Sequence, residues 1–307
     1  MIIRKIKEST GLDSEYIYKL IRTANHRYKI YKIPKKTGGE RTISHPSREL
    51  KLLQRWTVDN IFIHFPVHDS VYSYRIGRGI RDLALLHKKN KYLLKIDFSD
   101  FFPSIKNYDV SLLIKNNANN IPFVVSEKDR GIICSIVCKN GCLTIGAPSS
   151  PIITNAILYN FDTLCLKKAK KKNVIYSRYS DDIYFSTNKQ GVLEEIYEEV
   201  KNDLKRLKSP NISINDSKTV FSSKKYKRVI TGLVITPENK VSIGRKKKRY
   251  IKGLVHKFNT NTITPAKLAY LKGFLSYVNA VEPIFLKHLK QKFGEETISN
   301  IIRPDMS

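Results

Sequence analysis

Acidic residues are scarce in this sequence. Its 307 residues include 27 Asp and Glu against 56 Lys and Arg, a formal net charge of +29. Self-repulsion on this scale opposes compaction, and solubility alone does not need so one-sided an excess. The balance therefore favours a polyanionic partner: nucleic acid first, with a membrane surface a distant second.

Long apolar runs are also missing. No stretch approaches the roughly 18 apolar residues that a membrane span requires. The N-terminal MIIRKIKEST has basic residues but no continuous apolar core, which does not suit a secretory signal. The hydrophobic share of 41% is too high for a disordered chain and allows one large domain with a smaller appendage. We expect a soluble, cytoplasmic protein that does not bind membranes.

Cysteine is limited to four residues, too few for a disulfide framework. Cys134, Cys138 and Cys142 recur every four residues, a spacing that would allow metal ligands. However, no His lies near them in the sequence and Gly141 interrupts the pattern. Reduced cysteines in the core are the favoured interpretation.

Hydrophobic periodicity predicts a short amphipathic helix over 13–25 and another helix from about Ser47. Two hairpins are predicted, one around Gly38-Gly39 in YKIYKIPKKTGGERTISHP and one in VIYSRYSDDIYFS. Segment 91–97 is predicted to form a strand that ends on an acid. From about residue 240 the pattern changes to basic helical segments, which predicts a small helical domain.

Three carboxylates are the main candidates for chemistry. Asp97 ends the strand of 91–97, and Asp181 and Asp182 lie in the turn of the second hairpin. An acid pair between apolar strands is costly unless it meets solvent or cations. On adjacent strands, Asp97 and Asp181 could hold two Mg²⁺ ions about 4 Å apart for phosphoryl transfer. An Asp-Asp turn alone is usually structural.

The joint pattern resembles the reverse transcriptase family. Tyr179-Ser180-Asp181-Asp182 resembles its YxDD box, and Asp97 with a following aromatic pair resembles its first palm aspartate. The resemblance implies an RNA-directed DNA polymerase that uses deoxynucleoside triphosphates, with two Mg²⁺ at the three aspartates and the backbone of Phe98. It also implies an α+β right-hand fold: fingers at 1–90, an antiparallel palm with inserted fingers elements at 91–235, and a helical RNA-binding thumb at 236–307.

The same resemblance implies a set of nucleotide-binding residues. Arg41 matches an arginine that contacts the incoming triphosphate, and either Lys32 or Lys35 would add a second cation. A planar guanidinium and a flexible ammonium both suit phosphate binding. The backbone near Phe98 and Asp100 would lie beside the triphosphate and metal.

The aromatic pair Phe101-Phe102 has two interpretations. Phe102 occupies the place of the steric gate that the family sets against the sugar 2′ position, which implies a preference for deoxynucleotides. Core packing is the alternative, and we expect it for one ring of the pair.

Two further matches follow along the chain. GCLTIGAPSSPIITN resembles the next block of the family, with Gly146 in place and Ile145 where glutamine is usual. The nucleotide contact that this glutamine is expected to make is therefore absent here or made by the backbone. Lys218 matches the lysine proposed to protonate the leaving pyrophosphate, and a surface lysine without that role is the alternative.

Two blocks point to the retron branch of the family. RVITGLVI resembles its Val-Thr-Gly block with Ile230 in place of valine, and the segment ending at His87 keeps Ala84 and His87 of its Asn-Ala-x-x-His block. The resemblance implies reverse transcription of a structured non-coding RNA, primed from the 2′-hydroxyl of a guanosine. The product would be branched multicopy single-stranded DNA (msDNA), within an anti-phage defence system that has a separate effector protein.

The basic run before the last helices is the natural place to hold that RNA. Lys246, Lys247, Lys248 and Arg249 lie beside Tyr250, where charge can bind phosphates. A solvated helix face is the alternative. Two other functions stay open: another bacterial defence or group II-like reverse transcriptase, and a non-catalytic RNA-binding scaffold.

Overall fold

Helices and antiparallel strands are mixed along the chain, of which the computed structural model describes residues 2–35 and 38–302. The helices in this part are α1 (Ile2–Thr10), α2 (Ser14–Arg22), α3 (Arg48–Asn60), α4 (Ile80–His87), α5 (Phe101–Ser104), α6 (Asn107–Asn116), α7 (Glu127–Val137), α8 (Ser150–Ile157), α9 (Tyr159–Lys171), α10 (Val192–Arg206), α11 (Arg245–Asn259), α12 (Pro265–Val281), α13 (Pro283–Phe293) and α14 (Glu295–Ile302).

The strands form three sheets. They are β1 (Tyr28–Pro34), β2 (Glu40–Pro46), β3 (Tyr92–Asp97), β4 (Ile175–Tyr179), β5 (Asp182–Thr187), β6 (Val220–Ser223), β7 (Arg228–Ile230), β8 (Leu233–Ile235) and β9 (Val241–Ser242). Strands β1 and β2 form a hairpin, β4-β5-β3-β6 a four-stranded sheet and β7-β8-β9 a three-stranded sheet. The pairs β1–β2, β3–β6, β7–β8 and β8–β9 are antiparallel. The predicted α+β class is confirmed.

The chain divides into two compact units. Unit 1 holds the chain up to Tyr74, Ile96–Ile183 and Glu194–Thr219, and unit 2 holds Arg75–Lys95, Tyr184–Leu193 and the chain from Val220 onward. Strands β3 and β5 each begin in one unit and end in the other. These units do not follow the predicted fingers, palm and thumb segments, whose boundaries stay a prediction.

Local signals explain the helices of unit 1. Helix α3 begins after Ser47, whose hydroxyl accepts a hydrogen bond from the Leu50 N–H at 3.3 Å, as an N-cap does. Its apolar positions Leu50 and Leu53 are fully buried. The N-terminal helix predicted at 13–25 is α2, capped by Asp13.

Cys134, Cys138 and Cys165 are buried free thiols and Cys142 is partly buried.

Unit 2 ends in a helical bundle. Apolar residues recur every three or four positions in each helix and are buried there, which fixes the packing face. These residues are Ile251, Leu254 and Val255 in α11, Leu271, Leu275 and Val278 in α12, and Phe285 and Leu289 in α13. No helix in the described residues is both long enough and apolar enough to cross a membrane.

Candidate active site

The end of β3 and the β4–β5 turn meet in unit 1. Asp97 is the last residue of β3 and is 6% exposed, while Asp181 and Asp182 are partly exposed. The N–H of Phe98 donates to the carbonyl of Asp181 at 3.2 Å. The structure therefore brings together the two segments that carry the predicted carboxylates.

Lys218 reaches the same place from a separate segment. The Asn215 N–H donates to the Asp97 carbonyl at 2.8 Å, which holds this segment against the end of β3. A short 3-10 turn, Asp216–Lys218, follows. The Lys218 ammonium then lies 3.0 Å from Asp97 Oδ1. Lys218 thus neutralises a largely buried carboxylate and is not an isolated surface residue.

The acidic groups suit a metal that shares its ligands with substrate. In the part of the chain that the structure describes, no three His, Cys, Asp or Glu side chains form a ready metal cluster. Mg²⁺ is usually held by one or two carboxylates together with substrate phosphates and water, and not by a cage made of protein alone. Asp97, Asp181 and Asp182 provide hard oxygen donors of this kind.

A buried ion pair lies beside the turn, and sequence reasoning missed it. Arg178 and Asp162 both have fully buried side chains, with Arg178 Nη2 2.7 Å from Asp162 Oδ2 and Nε 2.8 Å from Oδ1. Burial opposes the charged guanidinium, but Asp162 outweighs it and the pKa of Arg178 is raised. Arg178 was visible only as the residue before Tyr179, and nothing in the sequence paired it with Asp162.

This ion pair fixes the backbone of the turn. Arg178 Nη1 donates to the carbonyl of Ser180 at 3.1 Å. Ser180 has φ of 58°, a conformation that non-glycine residues rarely adopt. Its own N–H donates to the Ser73 hydroxyl at 2.8 Å. Hydrogen bonds on both sides therefore hold the strained residue that precedes Asp181.

The aromatic residues after Asp97 separate into core and surface. Phe98 and Phe101 are 2% and 3% exposed and stack with ring centroids 5.5 Å apart. Phe102 contacts the edge of Phe101 at 5.4 Å but is only partly buried. Asp100 is exposed, in the left-handed conformation, and leads into α5. Phe101 is the core member of the pair, and Phe102 is the member whose ring is partly exposed.

The β1–β2 hairpin is attached to the Gly146 turn. The Ser44 N–H donates to the Ile145 carbonyl at 2.9 Å, and a Cβ on Gly146 would lie 2.8 Å from the Ser44 carbonyl oxygen. Gly146 also has φ of 110°, so glycine is needed for both conformation and space. The Ile145 backbone therefore binds the hairpin, and the nucleotide contact at this position stays a prediction.

Arg41 lies on β2 and is exposed, paired in register with Ile33. Lys35 is exposed at the end of the hairpin, where its N–H donates to the Gly39 carbonyl. The other lysine candidate, Lys32, forms an ion pair with Glu40 at 2.8 Å. Lys32 thus has an acidic partner on the hairpin, and the role of either lysine as a second cation stays a prediction.

Comparison with known proteins identifies the family. The family described as "Reverse transcriptase (RNA-dependent DNA polymerase)" matches residues 33–235. Retron Ec83 reverse transcriptase of Escherichia coli is 38% identical over 288 residues, which cover 91% of each chain. Retron Ec73 reverse transcriptase, also of Escherichia coli, is 34% identical and covers 87% of each. The chain belongs to the retron reverse transcriptases.

As a retron reverse transcriptase, the protein is an RNA-directed DNA polymerase. Its fold is similar to that of apo telomerase from Candida tropicalis, with a TM-score of 0.51 and 14% identity over 89% of this chain and 58% of the other. At that identity the likeness concerns the fold alone, which is the reverse transcriptase fold.

The two blocks that resemble retron motifs converge on β5 within unit 2. His87 Nδ1 lies 2.7 Å from the Ser186 hydroxyl, and Asn90 also donates to that hydroxyl at 2.7 Å. From the other block, the Thr231 N–H donates to the Tyr184 hydroxyl at 3.1 Å. Arg228 of the same block donates to the carbonyl of Asn90, three residues after the first block. Both blocks therefore hold the strand that continues from Asp182.

Burial lowers the pKa of His87 to about 3. His87 is therefore neutral at physiological pH, with its ring enclosed in the protein. This geometry gives His87 of the retron reverse transcriptase a structural role and not an acid–base one.

The five predicted RNA-binding residues of α11 do not all face the same way. Lys246, Arg249 and Tyr250 are exposed and line one cavity. Lys248 instead forms an ion pair with Glu282 and lies over the Phe285 ring at 5.1 Å. Lys247 is partly buried. Sequence spacing alone could not separate them, because the partners of Lys248 come from a different part of the chain.

Proposed function

We propose that this retron reverse transcriptase copies a structured non-coding RNA into branched msDNA with Mg²⁺ held at Asp97, Asp181 and Asp182. The observation that carries the proposal is the hydrogen bond from Phe98 N–H to the Asp181 carbonyl. It joins the ends of two strands whose carboxylates the polymerase reaction requires. The similarity to retron reverse transcriptases over 91% of the chain supports the choice of RNA.

The side chains around the carboxylates have distinct roles in the proposal. When bound, two Mg²⁺ ions would activate the attacking hydroxyl and stabilise the charge on the triphosphate. Arg41 and Lys35 hold the phosphates of the deoxynucleoside triphosphate. Phe102 excludes the ribose 2′-hydroxyl. Lys218, already beside Asp97, donates a proton to the leaving pyrophosphate.

The wider reaction that we propose is the one that the resemblance to the retron branch of the family implies. The RNA serves as both template and primer, and synthesis begins from the 2′-hydroxyl of a guanosine in it. The resulting RNA–DNA hybrid, together with a separate effector protein, takes part in defence against phage.

The test is to express the chain with its upstream flanking DNA in a bacterium and to extract nucleic acid. The proposal predicts a small DNA that separates from RNA only after treatment with a debranching enzyme, and that disappears in the Asp181→Asn, Asp182→Asn variant. If no branched DNA forms while purified protein still extends a primed RNA template, the polymerase stands and the msDNA product is rejected. A loss of both activities would favour an RNA-binding scaffold.

A further inference from the structure

Helices α11 and α12 of unit 2 form an open cavity of about 390 Å³. Its charged lining residues are all cations: Lys246, Arg249, Lys257 and Lys267. No acidic side chain lines it among the described residues. Four cations around one cavity repel one another, so the arrangement favours a bound anion such as phosphate.

The cavity also has an aromatic wall. Tyr250 lines it, is 51% exposed and contacts Tyr270, which is 48% exposed, with ring centroids 6.0 Å apart. Tyr270 in turn stacks on Phe274 at 5.6 Å and 22°. Phosphate binding alone does not need half-exposed aromatic rings beside cations, whereas a nucleobase stacks on such rings.

Gly253 makes space in the cavity. It lies inside α11 and is exposed, and a Cβ built on it would meet no atom within 4 Å. Glycine inside a helix is less stable than alanine. Neither helix stability nor packing therefore requires glycine at this position. Its effect is to leave the cavity open beside Tyr250 and Leu254.

We propose that this cavity binds one unpaired nucleotide of the RNA, with its base against the Tyr250 ring and its phosphates on the surrounding cations. The proposal rests on the proposed function only for the choice of RNA as partner. An A-form duplex keeps its bases stacked inside and presents phosphates and sugars. Cations alone would suit a duplex, whereas a cavity with an aromatic wall suits a base that has left the helix.

The experiment compares a short RNA hairpin carrying 2-aminopurine in its loop with a blunt RNA duplex of the same length, each titrated with the full chain. Binding should quench 2-aminopurine in the hairpin, because the base stacks on Tyr250. Gly253→Leu places a bulky side chain in the cavity beside Tyr250 and keeps every charge. It should weaken hairpin binding about tenfold, a typical effect of losing one stacked base, and leave duplex binding unchanged.

Matched variants keep the test independent of folding. Gly273→Leu makes the same change at an exposed helical glycine that does not line the cavity, and hairpin binding should stay as in the wild type. Tyr250→Ala should reproduce the loss, and Tyr250→Phe should not, because it keeps the ring. Gly253→Ala should fold at least as stably as the wild type.

Two results would overturn the proposal. One is 2-aminopurine fluorescence that does not change on binding, and the other is an equal loss of hairpin and duplex affinity in Gly253→Leu. Either would reduce the surface to phosphate contacts. DNA synthesis by the wild type on a primed RNA template is measured separately, so failure of the polymerase is distinguished from failure of the cavity.

Discussion

Charge is buried beside the β4–β5 turn and exposed on α11. Arg178 and Asp162 are enclosed and paired at 2.7 Å, and the guanidinium also binds the carbonyl of Ser180. Lys246 and Arg249 are exposed around an open cavity. The first arrangement holds a backbone carbonyl through a hydrogen bond, and the second leaves its cations open to solvent. The buried pair therefore holds the geometry of the turn, and the exposed cations are the ones that we propose attract RNA.

The largest effect is expected for the carboxylate at the end of β3. Asp97→Asn should lower DNA synthesis on a primed RNA template by on the order of a thousandfold or more, as removal of a group that acts on the reacting atoms does. RNA binding should persist, because the carboxylate serves metal and not template. Filter binding and primer extension on the same preparation measure both. Loss of RNA affinity or of folding would assign Asp97 a structural role.

The buried ion pair should give the next largest effect. Arg178→Met leaves the Asp162 carboxylate buried without its partner, which costs about 3–5 kcal/mol of unfolding free energy. The double variant Arg178→Met, Asp162→Leu should recover much of that stability, because no unpaired charge remains.

The activity of the double variant Arg178→Met, Asp162→Leu should nonetheless stay low, since the Ser180 carbonyl has lost the hydrogen-bond donor of Arg178. Urea unfolding and kcat for extension separate the two effects. If the double variant recovers full kcat, the pair would matter only for stability and would not position the turn.

Phe102→Val tests the proposal that the Phe102 ring excludes the ribose 2′-hydroxyl. Removing the half-buried ring should admit ribonucleotides and raise their incorporation relative to deoxynucleotides by at least about tenfold. Competition between the two nucleotides on one template measures this. Phe101→Leu is the control, because its ring lies in the core. An unchanged ratio for Phe102→Val would reject the ring as the gate.

His87 should give a smaller effect that depends on pH. Its folded pKa is about 3 against 6.5 for an ordinary histidine, so below about pH 6.5 the unfolded chain binds a proton that the folded chain does not. Unfolding free energy should then fall by up to about 1.4 kcal/mol per pH unit as pH decreases from 6.5 towards 3. Above pH 6.5 this contribution is constant.

His87→Asn should flatten that slope. Urea unfolding between pH 7 and pH 5 measures it above the range where most carboxylates titrate. A wild-type curve with the same slope as His87→Asn would mean that His87 is protonated in the folded protein.

The smallest effect is expected for the exposed cations of α11. Lys246→Ala should reduce the slope of log affinity against log salt by about one unit, the effect of losing a single phosphate contact. Lys248→Ala, two residues away, should leave the slope unchanged, because Lys248 is paired with Glu282. Equal slopes for the two variants would contradict the division of α11 into two faces.

The sequence predicted those features that local patterns determine. The two hairpins and the strand that ends on Asp97 are present, since alternation and turn residues suffice for them. The α+β class, which is also confirmed, was implied by the resemblance to reverse transcriptases. The proximity of Asp97 and Asp181 was expected from the resemblance to the family, because the strand order itself could not be predicted from the sequence.

Long-range partners could not be predicted in this way. Arg178 pairs with Asp162 sixteen positions away, His87 with Ser186 across 99 positions, and Lys248 with Glu282 across 34. Each of these contacts depends on how elements pack together. Lys257 and Lys267 could not be predicted as cavity residues. Lys257 lies further along α11 than the basic run, and Lys267 lies on α12.

The most direct test of the account is extension of a primed RNA template by the purified protein with Mg²⁺ and deoxynucleoside triphosphates. The wild type is compared with the Asp181→Asn, Asp182→Asn variant at equal RNA binding. The account predicts DNA product from the wild type and none from the variant. Product from both proteins would show that the turn held by Arg178 does not carry the chemistry, and product from neither would contradict the assignment as a polymerase.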